Sequence, residues 1–139
     1  MGRTLRDIQV LGPSLGTVRM QVMSWLRDND FAVVDPNADG TAKKYSPGGF
    51  VTNEIHPKPG SLVVVKYERP SLFVLELAIY PTEHGTTVHV EGYVAGAGRN
   101  KGQETDFETF AGMTHVSRGS DLLSDLERLL VALSTSAVK

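Results

Sequence analysis

Cysteine is missing from this sequence of 139 residues. Its absence excludes disulfide bonds, thiolate-bound metals, iron–sulfur clusters and a cysteine nucleophile, and it fits a reducing compartment. Long hydrophobic runs are missing too, since no stretch approaches the roughly 18 apolar residues that a membrane-spanning helix needs. The first residues also lack the apolar segment of a secretory signal. We therefore expect a cytoplasmic protein without a membrane partner.

Charge of one sign is not concentrated anywhere along the chain. Lys and Arg number 14, Asp and Glu number 16, and the formal net charge is -2. Nucleic-acid-binding proteins typically carry a basic patch or stripe, so we expect no nucleic-acid partner. Hydrophobic residues make up 40% of the chain. This value is typical of a soluble globular protein, and the length matches one domain over residues 1–139.

The strongest pattern in the sequence is a set of apolar runs between two amphipathic segments. Residues 62–69, 72–80 and 86–95 have the composition of antiparallel strands. Helical periodicity at residues 14–29 and again in the Leu-rich stretch 120–135 flanks them on both sides. This order predicts an α+β fold. We expect an antiparallel sheet of five to seven strands packed against an N-terminal helix and a long C-terminal helix.

Shorter elements complete the predicted fold. Residues 4–11 alternate as a first strand, and Ser14 suits the N-cap of the first helix. Asp39-Gly40 favours a tight turn that would pair a strand at 31–34 with one at 41–45. The remaining expectations are a Gly- and Pro-rich loop at 46–60 with a short edge strand at 50–55, a Gly-rich loop at 96–102, and a last strand at 106–116.

The central strands also predict a register. Pairing Ile79 with Val88, and Val65 with Leu75, collects the apolar side chains on one face of the sheet. We expect the C-terminal helix to cover that face, across Val65, Leu75, Leu77, Val90 and Val94. The other face is expected to be solvated and passive, with opposite charges offsetting the repulsion between paired glutamates. Its polar side chains are Lys66, Glu76, His89, Glu91 and Tyr93.

Known site motifs are incomplete in this chain. Residues 35–40 open like a calcium loop, but the twelfth position is Ser46 instead of a bidentate glutamate, which favours a plain turn. Residues 96–102 concentrate Gly and Lys without the spacing of a phosphate-binding loop, which favours a mobile flap between strands. Gly-Pro-Ser-Leu-Gly around Ser14 resembles a nucleophile elbow, although a helix cap is favoured there.

The four histidines do not show the spacing that places two metal ligands on one helical face. Only His89, beside Glu91 and across from Glu76, lies among other polar residues. An acid–base pair there would require a covered face and shifted pKa values. We therefore predict no catalytic residue, no metal and no cofactor.

In its element order the chain resembles the START/Bet v 1-like, or helix-grip, superfamily. The resemblance spans nearly the whole chain and rests on the strand at 4–11, the helix at 14–29, the central hairpins and the Leu-rich helix at 120–135. Members typically hold an apolar ligand between a curved sheet and the last helix. The chain departs from that pattern because its first helix is continuous, so a flat sheet with a filled core is the alternative.

The resemblance implies a non-catalytic binding domain for a small apolar ligand. The ligand would lie between the sheet and the C-terminal helix, with the loop at 96–102 as its entrance. The residues expected to line this pocket are Tyr67, Phe73, Leu77 and Met113.

The alternative function is a protein–protein interaction or homo-oligomeric assembly module. It rests on the edge strands, which need protection or pairing, and on the Gly- and Pro-rich segment 46–60. That segment contains Phe50, Val51 and Ile55, which a small domain has difficulty burying. As an arm, it would dock on a neighbouring copy of the chain.

Overall fold

The computed structural model describes residues 2–49, 51–108 and 114–137, and it describes the side chains of the last helix for residues 117–134. The fold is α+β, as predicted: a six-stranded antiparallel sheet and two helices in the described part of the chain. The elements are β1 Thr4–Leu11, α1 Leu15–Asp28, β2 Ala32–Asp35, β3 Lys43–Tyr45, β4 Asn53–Ile55, β5 Leu62–Glu68, β6 Ser71–Thr82, β7 Gly85–Ala95, a 3-10 turn Gly98–Asn100, β8 Glu104–Thr105 and α2 Thr114–Ala137.

The main sheet has the strand order β1-β7-β6-β5-β2, and β8 extends it by pairing with β7. Ile79 lies opposite Val88, which confirms the predicted register of β6 and β7. The predicted pairing of Val65 with Leu75 is wrong by one residue, because Val64 lies opposite Leu75. Since side chains alternate across a strand, this shift exchanges the two faces of β5.

Helix α1 begins and ends as the sequence predicts. The Ser14 hydroxyl accepts a hydrogen bond from the backbone N–H of Thr17 and so caps the first turn. Asn29 ends the helix, and its side-chain amide donates to the Trp25 carbonyl. The Trp25 indole stacks on Phe31 at 5.7 Å between ring centroids, which fixes the end of the helix against the core.

Both helices pack on one face of the sheet. Helix α2 contacts β1 and β7, and α1 contacts β6 and β7. The core between them is formed by buried apolar side chains from the helices and strands, together with Phe107 from the segment before α2. The α2 side chains in this core are Leu122, Leu123, Leu126 and Leu130. Of the five residues predicted beneath the last helix, Val65 is misplaced, since it lies on the opposite face with the second core.

The other face of the sheet is covered, so the expectation of a solvated face is wrong. The hairpin of β3 and β4 and the loop after it fold over β5, β6 and β7, and they enclose a second apolar core. Ile55 is buried there against its own chain. The second core consists of Ala38, Ile55, Val63, Val65, Leu72, Val74, Tyr93 and Ala95.

Three further expectations differ from the structure. Strand β3 pairs with β4 and not with the strand at 32–35, so the predicted hairpin across Asp39-Gly40 is wrong. The predicted strand at 106–116 is wrong, because β8 ends at Thr105 and residues 106–108 are not in a strand. Helix α2 begins at Thr114 and not near residue 120. Residues 109–113 of that prediction lie outside the described residues. In the described ranges, no helix is long and apolar enough to cross a membrane.

Candidate ligand-binding site

Two glutamates lie opposite each other on the covered face, where β6 and β7 pair. Glu76 and Glu91 are cross-strand partners, and both side chains are almost completely buried. One Glu76 oxygen accepts hydrogen bonds from the Arg3 guanidinium at 2.6 Å and from the Lys58 backbone N–H at 2.8 Å. The other accepts from the Tyr93 hydroxyl at 2.6 Å. Burial and this bond raise the pKa of Tyr93, so its hydroxyl keeps the proton that it donates.

Arg3 balances the charge of the paired glutamates. Strand β1 runs beside β7, with Leu5 opposite Glu91. Because side chains alternate between the two faces of a strand, Arg3, two residues before Leu5, lies on the same face as the glutamates. Its guanidinium also contacts Glu91 at 3.2 Å, donates to Glu104 at 2.7 Å, and lies 4.5 Å above the Tyr93 ring centroid. Two carboxylates directly opposite each other would otherwise repel in a poorly solvated place.

Glu91 is also the inner end of a chain of charged side chains that leads to the surface. Its second oxygen accepts from the Lys58 ammonium at 2.6 Å and contacts His89 Nε2 at 2.8 Å. The other ring nitrogen of His89 lies 2.7 Å from the Asp7 carboxylate. Burial opposes ionisation of Glu91, but the bonds from Lys58, His89 and Arg3 outweigh it and lower the pKa of Glu91.

His89 lies between two carboxylates. The hydrogen bond to Glu91 is the main cause that raises the pKa of His89, with Asp7 adding to it, while burial acts in the opposite direction. A protonated imidazole donates from both ring nitrogens, which matches one carboxylate on either side. The charged form of His89 is therefore the one that this arrangement stabilises.

A groove opens at the N-terminal end of β5, where β6 extends past it. Strand β5 begins at Leu62 opposite Leu77, whereas β6 continues to Thr82. Among the described residues, 78–82 therefore have no strand partner on the β5 side. The groove beside them has a volume of about 460 Å³. Its apolar walls come from α1, β5 and β6 and include Met23, Leu62, Ile79 and Tyr80.

A second cavity of about 240 Å³ lies on the glutamate side of the same strand end. Lys58, His89 and Glu91 border it. The two cavities share Gly60, Leu77 and Ala78 in their walls, so they adjoin around the free edge of β6. Together they form a cleft, defined here as the apolar groove plus the charged cavity. It offers an apolar space that leads to buried, hydrogen-bonded charge.

The structure does not bring the four predicted pocket residues together. Phe73 and Leu77 are buried on the helix face of the sheet. Tyr67 lies on the opposite face, paired with Leu72, and is 38% exposed. Met113 lies outside the described residues. Leu77 borders both cavities of the cleft, which lies at the end of β5 and not beneath α2.

The remaining sequence motifs form local structure. Asp35 and Asp39 each accept a hydrogen bond from the backbone N–H two residues later, which is how Asp closes a turn. The Gly-rich loop joins two strands, as predicted, and the Asn53 amide donates to the carbonyls of Ala95 and Gly96 at its start. Within the described ranges, no three His, Asp or Glu side chains are grouped closely enough to hold a metal ion.

Sequence reasoning identified Glu76, His89, Glu91 and Tyr93 as neighbours but missed three of their partners. It expected Lys66 and His89 to offset the repulsion between the glutamates. His89 does contact Glu91, but Lys66 does not, because its ammonium bonds the Asn29 carbonyl on the helix face. The missed partners are Arg3, Lys58 and Glu104. The sequence did contain a signal for Arg3. A buried pair of carboxylates requires cations nearby, and Arg3 lies an even number of residues from Leu5, so its side chain is on the same face of the sheet as the glutamates. No protein-family model and no curated protein sequence matches the chain.

Proposed function

We propose that the protein is a non-catalytic binding domain for a small, largely apolar ligand, held in the cleft at the end of β5. The observation that carries this proposal is the apolar groove of about 460 Å³ that adjoins a smaller cavity with a few charged groups. Ligand sites are commonly concave, mostly apolar spaces of this size with a small number of polar groups that orient the ligand.

The resemblance to the helix-grip superfamily supports the same class of function, because its members typically hold apolar ligands against the sheet. The position differs from theirs in this proposal. Beneath α2, the leucine side chains and Phe73 are buried in one packed core. The groove beside Ile79 is instead open to solvent, and its lining is mostly apolar, with Arg19 as its one charged side chain among the described residues.

The hydrogen bonds of the charged groups favour binding over proton transfer. Both oxygens of Glu76 and both oxygens of Glu91 already have partners within the protein. A general acid or base needs a lone pair or proton that it can exchange with a substrate. The charges here stabilise the fold and set the polarity of the cleft.

The experiment is a titration of isotope-labelled protein with n-octanol, followed by amide chemical shifts. Saturable shifts are expected at Met23, Ile79 and Tyr80. Ala78→Leu should weaken binding at least about tenfold, because the larger side chain would fill the space that the two cavities share. Ala32→Leu, at an exposed alanine on another strand, is the matched control and should bind as the parent does. The absence of saturable shifts in the parent protein would refute the proposal.

A second candidate is an interaction or assembly module, favoured by the edge of the sheet. Strand β2 is the outer strand beside β5, and Val33 on it is 46% exposed. Val51 on the covering segment is 52% exposed, whereas Ile55 is buried in its own chain and is not available for docking. Light scattering after size exclusion, on the parent and on Val33→Lys, tests this. If the parent protein is a monomer at high concentration, self-association is excluded as its function.

A further inference from the structure

We propose that the ligand of the cleft carries a primary amine, and that its ammonium group replaces the Lys58 ammonium on the Glu91 carboxylate. This inference rests on the proposed function, since it assigns a head group to a ligand whose apolar part fills the groove. The amine would reach the charged cavity past Gly60 and Ala78, and the apolar part would remain against Met23 and Ile79.

Lys58 and Glu91 are unequal partners in their ion pair. The Glu91 side chain is 3% exposed, whereas the Lys58 side chain is 61% exposed although its ammonium lies 2.6 Å from that carboxylate. The backbone of Lys58 is held separately, through the bond from its N–H to Glu76. Lys58 can therefore move its side chain into solvent without disturbing the loop. Glu91 would keep Arg3 on one oxygen, but the oxygen that Lys58 leaves would be bonded by His89 alone, so a second cation is favourable there.

The balance of charge in this cluster selects a cation over an anion. The cluster contains four carboxylates and two side chains that are always cationic. With His89 protonated, the cluster has three positive and four negative charges, and departure of the Lys58 ammonium makes the deficit larger. An anionic head group would add a fifth negative charge next to a buried carboxylate. The carboxylates are Asp7, Glu76, Glu91 and Glu104, and the permanent cations are Arg3 and Lys58.

Gly60 lies in the walls of both cavities. Its two chain neighbours apart, no described atom lies within 4 Å of the position that a Cβ would occupy there. Ala78, on the opposite wall, contributes only a methyl group. Because small residues border both cavities at this point, we expect a linear alkylamine, with its narrow chain, to join both halves of the cleft in one molecule.

The test compares n-octylamine, n-octanol and octanoate, which share a chain length and differ in the charge of the head group. Each is titrated into the full chain near neutral pH and followed by amide shifts and calorimetry. We expect octylamine to bind at least about tenfold more tightly than octanol, with octanoate weakest. Binding of octylamine should move the amides of His89 and Glu91 as well as those of the groove.

Lys58→Met is the informative variant, because it keeps the aliphatic part of the side chain and the backbone bond to Glu76. Removal of the internal ammonium should raise the affinity for octylamine several-fold and leave octanol unchanged. Lys44→Met, at an exposed lysine of β3, is the matched control and should change neither affinity.

Each outcome decides one of the two proposals. Equal affinities for octylamine and octanol, or weaker octylamine binding by Lys58→Met, would overturn the inference while the groove remains a binding site. Tighter binding of octanoate would overturn it as well. Failure of all three probes to bind would end the proposed function together with the inference.

Discussion

Gly119→Ala should destabilise the protein, although alanine normally stabilises a helix. Gly119 lies in α2, directly against the ring of Phe107. A Cβ at Gly119 would lie 2.3, 2.4 and 2.7 Å from three atoms of that ring. The ring has no free space on its other side, because a Cβ at Gly92 would lie 2.4 Å from it. Phe107 is therefore clamped between a glycine of the helix and a glycine of the sheet.

Two opposing contributions set the size of the effect. Replacing a helical glycine by alanine gains about 1 kcal/mol from helix propensity. Overpacking of a filled core costs about 1–3 kcal/mol. We expect a cost in the upper half of that range, about 2–3 kcal/mol, because the ring is confined by both glycines and would be displaced from its packing against Phe73. We expect the free energy of unfolding to fall by about 1–2 kcal/mol, measured by urea denaturation with an unchanged m-value.

A matched control and a compensating substitution separate this contact from a general effect. Gly16 is an exposed helical glycine whose Cβ would meet only the Ser14 hydroxyl oxygen, at 4.0 Å. Gly16→Ala should therefore stabilise the protein by about 0.5–1 kcal/mol. Phe107→Leu should make Gly119→Ala less harmful by about 1–2 kcal/mol in a double-mutant cycle. If Gly119→Ala is as stable as the parent, the packing of Phe107 between α2 and the sheet is incorrect.

Other predictions concern the leucine core, the buried charges and pH. Leu130→Ala should cost about 2–5 kcal/mol by urea denaturation, while Val131→Ala, at a half-exposed position, should cost far less. Arg3→Met should cost about 3–5 kcal/mol, because two buried carboxylates lose their shared partner; a wild-type midpoint would contradict this. The pKa of His89 is raised above 6.5, so its contribution to stability is complete below about pH 6.5 and is lost as the pH rises through the folded value. The pKa of Glu91 is lowered below 4.5, so its contribution is present above about pH 4.5 and is lost as the pH falls through the folded value. Denaturation midpoints between about pH 3 and about pH 9 should peak between these limits, and His89→Gln should remove the decline on the alkaline side.

The elements that sequence predicted well have one buried side and one exposed side. Strand β1 and helix α1 belong to this class, and their bounds agree with the pattern almost to the residue. Strand β5 does not, because Val63, Val64 and Val65 are all buried, and they face two different cores. With valine on both faces, a shift of one residue leaves the pattern unchanged, so periodicity alone could not set the register.

The covered face was missed for a related reason. Glu76 and Glu91 alternate with apolar residues, a pattern that is typical of a sheet face exposed to solvent. Such a local pattern contains no information about a segment, distant in the sequence, that covers the face. That cover consists of short strands and a Pro-rich loop whose own sequence predicts loop. The cleft follows from the unequal lengths of β5 and β6. Strand ends are the least certain part of a pattern, which is why the site could not be predicted from it.

The position of β1 also determines the order in which the sheet can be assembled during synthesis. Strands β5, β6 and β7 follow one another as hairpins and can pair as soon as they are made. Strand β1 must wait for β7, and Arg3 joins Glu104 across 101 residues of chain. Contacts between such distant residues form slowly, because a long loop must be closed first. Until then the edge of β7 is open to pairing with other chains. We therefore expect the strand that is synthesised first to be the last to join the sheet.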